Sequence, residues 1–296
     1  MTPSPWSFSF EPLYLLLAAV AVAFFLQGWR RLHRRRPELA PWTRIPLFLA
    51  GVALALYVRA WRREPGHAWR AASFGAGLLL VVGALNSPLG TIATEYLVLF
   101  HLLQNVMISD WAPPLLLIGL TPAMRAAVAA RGGHAFATLT RPELALPIWL
   151  VGWYVVHLGA VYDAAVRSPV LLALEHGLLI AIGLLFWWPV LCDAPRSVAT
   201  LVRLGYVFAA FVLSAFLGLA LTFSPPIYDF YEALPHRLWG ISAEQDQNLG
   251  GILMSSEQAL VFFAAIVWLL VRLLREEAEA ERRLADEQRA AGLREH

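Results

Sequence analysis

Three histidines lie inside long apolar stretches of this chain, where a polar side chain needs a partner or a function. His101 lies one turn below the predicted outer end of its stretch, His157 one turn below the outer end of the next, and His176 two turns below the outer end of a third. At ~1.5 Å of rise per residue, all three fall about 6–9 Å below the outer membrane surface. Imidazoles that converge from several helices are typical metal or haem ligands. We therefore predict a metal site formed by His101, His157 and His176.

Four further polar residues are predicted to support this site. Asn105 follows His101 by four residues, so the two share a helix face. Asp163, Asp246 and Gln247 lie just above the histidines, where carboxylates and amides can fix the tautomer of a ligating imidazole. The alternative is purely structural: each histidine donates a hydrogen bond to a carbonyl or hydroxyl group of a neighbouring helix.

Acidic residues also fall within apolar stretches, among them Asp110 and Glu175. Asp110 lies deep in the helix of His101, where we favour a structural hydrogen-bond partner over a proton-carrying role. Glu175 points about 100° away from His176 around its helix, which predicts that it faces the outer interface. Pro113 and Pro114 remove two backbone donors from the helix of Asp110 and predict a kink there.

The composition indicates that lipid is the main solvent of this protein. Of 296 residues, 59% are hydrophobic and only 15% are charged, and the mean hydropathy is +0.60. A soluble domain carries about 25% charged residues. The formal charge of +2 does not indicate a nucleic-acid surface, and the single cysteine, Cys192, excludes an internal disulfide. The sequence has no P-loop, GxSxG or HExxH motif, so we expect a protein without a catalytic site.

Eight stretches approach the ~20 apolar residues that a membrane-spanning helix needs. They are 12–29, 45–60, 71–86, 97–120, 144–161, 170–191, 203–224 and 253–274. The runs are long, rich in Leu and Ala and without alternation, which favours helices over strands. We predict an all-α polytopic bundle of seven or eight spans, with a transmembrane domain over 1–274 and a charged, helical cytoplasmic tail over 275–296. No cleavage site follows 12–29, which indicates a retained anchor.

Arginine placement predicts the orientation of the bundle. Arginines concentrate in 30–36, 59–70, 121–143, 192–203 and after residue 271, whereas 87–96, 162–169 and 225–252 hold few. The first set is therefore predicted to be cytoplasmic, together with the C-terminus. If 12–29 and 45–60 both span, one arginine-rich stretch must face outward, so the side of the N-terminus stays open.

Three stretches of sequence together resemble a known family. They are SPLGTIATEYLVLFHLLQNVMISDWAPPLLLIGLTP, VVHLGAVYDAAVRSPVLLALEHGLLIAIGLLFWWPVL and DQNLGGILM. The first carries a Ser-Pro, a histidine helix and Ala-Pro-Pro-Leu-Leu; the second carries two histidines, Tyr-Asp and Phe-Trp-Trp-Pro; the third begins a helix with Asp-Gln. Their order and spacing resemble those of CtaG-type cytochrome c oxidase assembly factors, over about residues 71–275.

The resemblance implies an integral protein of the bacterial cytoplasmic (inner) membrane that supports biogenesis of a haem-copper oxidase. It implies copper handling on the outer side, with oxidase subunits and membrane lipid as partners and no nucleic acid. The implied copper ligands are His101, His157 and His176, with Asp246 and Gln247 as an outer polar motif.

Two departures from the family pattern accompany this resemblance. The chain has Asn105 and Leu172 at positions where family members carry histidine. Two other functions remain as alternatives. One is a membrane cytochrome with haem held by two of the histidines. The other is a small-ion transporter with Asp110 as its coupling acid.

Overall fold

The computed structural model describes the backbone of residues 40–235 and 237–292, and the side chains of 45–235 and 237–289. The helices are α1 (Ala40–Arg63), α2 (Ala68–Asn86), α3 (Pro88–Glu95), α4 (Val98–Val106), α5 (Ala112–Gly119), α6 (Pro122–Leu139), α7 (Pro142–Val156), α8 (Gly159–Arg167), α9 (Pro169–Leu191), α10 (Thr200–Phe223), α11 (Asp229–Glu232) and α12 (Ala243–Gly292). A π-helical turn, Met107–Trp111, joins α4 to α5. The described ranges contain no strand.

The number of spans agrees with the sequence prediction. Within the described ranges, α1, α2, α9, α10 and α12 are each long and apolar enough to cross a membrane. Two bent units raise the number to seven: the α4–α5 helix, followed by α6 at 110°, and α7, followed by α8 at 70°. The predicted all-α membrane bundle is confirmed. The stretch 45–60 forms most of α1, whereas 12–29 and 30–36 lie outside the described residues.

The connections between spans gather at two ends of the bundle. The upper end comprises residues 87–97, 157–168 and 224–242, and the lower end comprises residues 64–67, 120–141 and 192–199. At the upper end, Tyr231 donates a 2.5 Å hydrogen bond to the carbonyl of Ala93. At the lower end, Arg125 donates a 2.8 Å bond to the carbonyl of Leu191. The upper end is the one that arginine placement predicts to be extracytoplasmic.

Small residues let α10 and α12 approach closely. A Cβ added at Gly251 would lie 2.6 Å from the backbone nitrogen of Thr222 and 2.7 Å from the carbonyl oxygen of Gly218. Membrane helices lack a hydrophobic drive to associate, so close backbone packing at small residues is their main source of attraction. This contact fixes the start of α12 beside the upper end, and α12 then continues without a break into the charged tail.

The predicted kink near Pro113 and Pro114 takes the form of the π-helical turn. Neither proline has an N–H group to donate to the carbonyl four residues earlier, so the regular ladder cannot continue through Ser109 and Asp110. Ala112 bonds instead to the carbonyl of Met107, five residues earlier. The turn brings Asp110 into the bundle interior, where none of its surface is exposed.

Candidate functional site

The three predicted histidines lie in one buried layer below the upper end. His101 belongs to α4, His157 directly follows α7, and His176 belongs to α9. Their exposed fractions are 0%, 1% and 9%, respectively. The ring centroids of His101 and His176 are 5.8 Å apart. The ring of Tyr162 lies 4.5 Å from that of His101 and 6.0 Å from that of His157. All three imidazoles therefore face the bundle interior and not the lipid.

A tyrosine fixes the tautomer of His101. The Tyr231 hydroxyl donates to the carbonyl of Ala93 at 2.5 Å, so it can only accept at its 2.9 Å contact with Nδ1 of His101. Burial raises the pKa of Tyr231 well above its ordinary value, which keeps this hydroxyl protonated. His101 therefore carries its proton on Nδ1 and presents the lone pair of Nε2. Among the described residues, that Nε2 has no hydrogen-bond partner.

His157 has the same arrangement, and His176 also has a buried Nε2 without a partner among the described residues. Nδ1 of His157 lies 2.7 Å from the carbonyl oxygen of Trp153, which only accepts, so His157 also carries its proton on Nδ1. Nε2 of His157 and Nε2 of His176 are buried without a hydrogen-bond partner in the part of the chain that the structure describes. A ligating histidine typically has the arrangement of His101 and His157, with one nitrogen bonded to an oxygen and the other free for the metal.

Glu175 also belongs to this layer, and the prediction that it faces the outer interface was wrong. It is 6% exposed, and its Oε1 accepts a 3.0 Å hydrogen bond from the amide of Asn105. The same oxygen lies 3.7 Å from Nε2 of His101. At this level, neighbouring helices cover a wide enough arc of α9 to bury both Glu175 and His176. A carboxylate inside an apolar stretch was itself a signal of a buried role.

Asp246 positions the helix that carries His101. Its two carboxylate oxygens accept 2.9 Å hydrogen bonds from the backbone N–H groups of Val98 and Leu99, the first residues of α4. A carboxylate there satisfies two free donors and complements the positive end of the helix dipole. Arg237 lies 3.6 Å from Asp246 and ties the segment before α12 to the same point.

Gln247 and Asp163 hold the segment that carries Tyr231. Oε1 of Gln247 accepts from the backbone N–H of Ile227 at 2.7 Å. Asp163 accepts from the backbone N–H of Phe230 at 3.2 Å. In the described residues, neither side chain is bonded to a histidine. The partners that fix the tautomers of His101 and His157 are instead Tyr231 and the carbonyl of Trp153, neither of which was predicted from sequence.

The layer supplies donor atoms but does not enclose an ion as it stands. In the described ranges, no group of three His, Cys, Asp or Glu side chains is close enough to hold a metal. Metal bonds of ~2 Å require ligand nitrogens within ~4 Å of one another. The rings of His101 and His176 meet at 73°, with their centroids 5.8 Å apart. Their side chains would have to turn toward each other for both Nε2 atoms to reach one ion.

An apolar cavity of about 320 Å³ borders His176 from the side of α1 and α2. Gln104 and Thr94 are its other polar walls, and Leu172 is among its apolar ones. Gln104 donates to the carbonyl of Ala84 at 2.9 Å. The cavity places the histidine layer next to the peripheral helix α1.

A family model described as the cytochrome c oxidase caa3 assembly factor (Caa3_CtaG) matches residues 54–276. The chain belongs to this family. The matched range contains the whole histidine layer together with Asp246, Gln247 and Tyr231. The resemblance drawn from the three motifs is confirmed, and the family is one of cytochrome c oxidase assembly factors.

Among curated proteins, one relative matches the sequence of this Caa3_CtaG member. It is an uncharacterized protein of Mycobacterium leprae (strain TN), 27% identical over 241 residues. The match covers 73% of this chain but only 36% of that protein. The chain therefore spans about a third of the length of its relative. No solved structure matches the chain.

Proposed function

We propose that this Caa3_CtaG member assists the assembly of a haem-copper oxidase by binding copper in the histidine layer and passing it to an oxidase subunit at the upper end. The observation that carries the proposal is the set of three buried Nε2 atoms, one each from α4, α7 and α9, without partners among the described residues. Imidazole is a ligand that suits copper. The role is that of a carrier, with copper as cargo and no chemical step catalysed.

The polar atoms around the histidines favour a cation as their missing partner. Oε2 of Glu175 and Oδ1 of Asn105 are also buried without a partner in the described part of the chain. Together with the Nε2 atoms they form a group of acceptors with the Tyr162 hydroxyl as the nearby donor. A bound cation satisfies such acceptors, and the carboxylate beside His101 offsets part of its charge in a medium of low dielectric constant.

The positions of the arginines support the membrane orientation that this function needs. At the lower end, Arg70 donates to the carbonyls of Ile118 and Leu120, and Arg125 donates to that of Leu191. Arginines collect on the cytoplasmic side of membrane proteins. We place the lower end and the C-terminal tail in the cytoplasm of a bacterium. The histidine layer then lies near the outer surface of the inner membrane, where copper can enter from outside.

Copper content is the direct test. The full chain is purified in detergent, loaded with copper, desalted and analysed by mass spectrometry, beside His101→Ala, His157→Ala and His176→Ala. His67→Ala and His134→Ala are matched controls, since both side chains are exposed and lie at the lower end of the bundle, away from the histidine layer. We expect wild type and controls to retain copper and the three layer variants to lose most of it. Equal copper in all six proteins would remove the ligand assignment.

The assembly role has its own readout. In a bacterial strain that lacks the gene, oxidase activity and the haem spectrum of membranes are compared after expression of each variant. We expect wild type and the two control variants to restore the oxidase and the layer variants to fail. If a layer variant lacks copper but fully restores the oxidase, the family role stands and the copper mechanism is wrong.

A further inference from the structure

A second polar group lies in the middle of the bundle, well below the histidine layer. Asp110 follows His101 by nine residues, which places it about 13 Å deeper at ~1.5 Å per residue. It lies beside Glu257 of α12, because Gln258 bonds to Asp110 while Glu257 bonds to Trp111, the residue after Asp110. Asp110 and Glu257 are 0% and 6% exposed. Asp110 was predicted to have a structural partner, whereas Glu257 is not among the residues predicted from sequence.

Neutral donors bind one oxygen of each carboxyl group. Nε2 of Gln258 donates to Oδ2 of Asp110 at 3.4 Å, which provides the structural partner predicted for Asp110. The indole N–H of Trp111 donates to Oε2 of Glu257 at 2.5 Å. Both donors are uncharged, so neither compensates a negative charge on the pair.

The remaining oxygens are acceptors without donors. Oδ1 of Asp110, Oε1 of Glu257 and Oε1 of Gln258 are buried and have no hydrogen-bond partner among the described residues. The hydroxyl of Ser109, 0% exposed and beside Asp110, is a further neutral donor that can turn to that carboxyl. Gln258 is itself 1% exposed and directs its amide into the pair. Among the described residues, no hydrogen-bond donor is assigned that bridges the two carboxyl groups.

The charges around the pair do not supply that donor. In the described ranges, no arginine forms an ion pair with Asp110 or Glu257. Other buried ionisable side chains of the described residues lie toward the ends of the bundle. They include His101, His157, Tyr162, Asp163, Glu175, His176, Tyr228, Tyr231 and Asp246 above, and Cys192, Arg203 and Tyr206 below. Two adjacent carboxylates in a buried site repel each other and lose their hydration. At least one of them must therefore take up a proton.

We propose that Asp110 and Glu257 form a proton-binding site that holds a shared proton between their carboxyl groups. A proton fits better than a metal ion, because in the described residues the pair has no third His, Cys, Asp or Glu at ligand distance. The O–H group of the protonated carboxyl donates to an oxygen of the other, so one proton satisfies Oδ1 of Asp110 and Oε1 of Glu257 together. Its loss would put like charges between the α4–α5 span and α12, the two spans that Asp246 joins at the upper end.

Infrared spectroscopy of the full chain in lipid nanodiscs tests the site. A protonated carboxyl has a C=O stretching band, distinct from the carboxylate band, that shifts in heavy water. Glu175 is buried as well and can contribute such a band, so the readout is the difference between wild type and Asp110→Asn/Glu257→Gln. We expect the wild type to show acid C=O intensity at neutral pH that the double variant lacks. Each single variant should shift that band, and Glu281→Gln, exposed on the same helix, should leave it unchanged.

Three outcomes would overturn the proposal. One is identical acid bands in wild type and double variant. Another is a pair of carboxylate bands from Asp110 and Glu257 at neutral pH. The third is displacement of the acid band by added sodium or copper ions, which would make the site a cation site. If the double variant does not fold, the single variants Asp110→Asn and Glu257→Gln decide, and an acid band that neither of them shifts overturns the proposal.

Discussion

Nδ1 of His101 lies 2.9 Å from the hydroxyl oxygen of Tyr231, and that hydroxyl donates at 2.5 Å to the carbonyl of Ala93. Through these contacts Tyr231 of α11 joins α4 to α3. Tyr231 is 130 residues from His101 and 138 residues from Ala93 along the chain. They direct the lone pair of Nε2 away from Tyr231 and into the layer. Substitution of such an oxygen partner typically lowers metal affinity about 10–100-fold.

Tyr231→Phe is therefore expected to weaken copper binding about 10–100-fold while leaving the helices in place. The substitution removes the hydroxyl but keeps the ring, so His101 loses the acceptor that holds its proton on Nδ1. Competition with a copper chelator measures the affinity. Tyr154→Phe is the matched control, because its hydroxyl donates to the carbonyl of Leu213, away from the histidines. Equal affinities for the two variants would contradict the tautomer argument.

Asp246→Ala is expected to destabilise the protein by about 1–2 kcal/mol, the usual loss for a helix N-cap. The change leaves the N–H groups of Val98 and Leu99 without their acceptor and Arg237 without its partner. Thermal unfolding in detergent measures the loss. Glu244→Ala, an exposed acidic residue in the same first turn of α12, is the control. A melting temperature no lower than that of the control would show that Asp246 does not hold α4.

The spans could be predicted from sequence because lipid imposes a simple length requirement. The stretch 71–86 corresponds to α2, Ala68–Asn86, and 170–191 corresponds to α9, Pro169–Leu191. A membrane helix must satisfy its own backbone over the full thickness of the hydrocarbon, so a long apolar run leaves few other structures open. The histidines could be placed at one level for the same reason, since depth follows from residue number along a span.

Rotation about each helix axis could not be predicted in the same way. Glu175 was assigned to the interface because hydropathy does not say how wide an arc of α9 is enclosed. Tyr231 reaches His101 because segment 224–242 folds back over the bundle, and its side-chain contacts depend on Gln247 and Asp163. Glu257 meets Asp110 only through the packing of α12 against the π-helical turn, a contact between residues 147 apart that no local pattern encodes.

Gly251→Leu is expected to separate α10 from α12 and to destabilise the bundle by 1–3 kcal/mol or more, as overpacking typically does. A Cβ at this position would lie 2.6 Å from the backbone nitrogen of Thr222, and backbone cannot move aside as a flexible side chain can. Loss of the main peak of folded protein on gel filtration, together with a lower melting temperature, measures the effect. At Gly205, on α10, an added Cβ has no heavy atom within 4 Å among the described residues, so Gly205→Leu is the control. Equal stability of both variants would show that the close approach is dispensable.

The lower end offers a pH-dependent test. Arg203 is 1% exposed and donates to the carbonyls of Val198 and Val190 at 2.9 Å, while its remaining nitrogen binds the carboxylate of Asp193. Burial alone would raise the pKa of Asp193, but the hydrogen bond and charge of Arg203 outweigh it and hold that pKa below its ordinary value of 3.8. An acid with a lowered pKa stabilises the folded state above its unfolded pKa, and this stability is lost as the pH falls through the folded pKa.

Asp193→Asn should therefore melt at a lower temperature than wild type at neutral pH, because the guanidinium of Arg203 stays buried without its counter-charge. The difference should persist down to about pH 4 and shrink below it, as the wild-type carboxyl takes up a proton. Melting curves from pH 7 down to the acid limit of the protein measure it, with the exposed Asp286→Asn as control. A gap between wild type and Asp193→Asn that stays constant through the acid range would mean that Asp193 acts through its hydrogen bond alone and that its charge contributes nothing to the stability of the lower end.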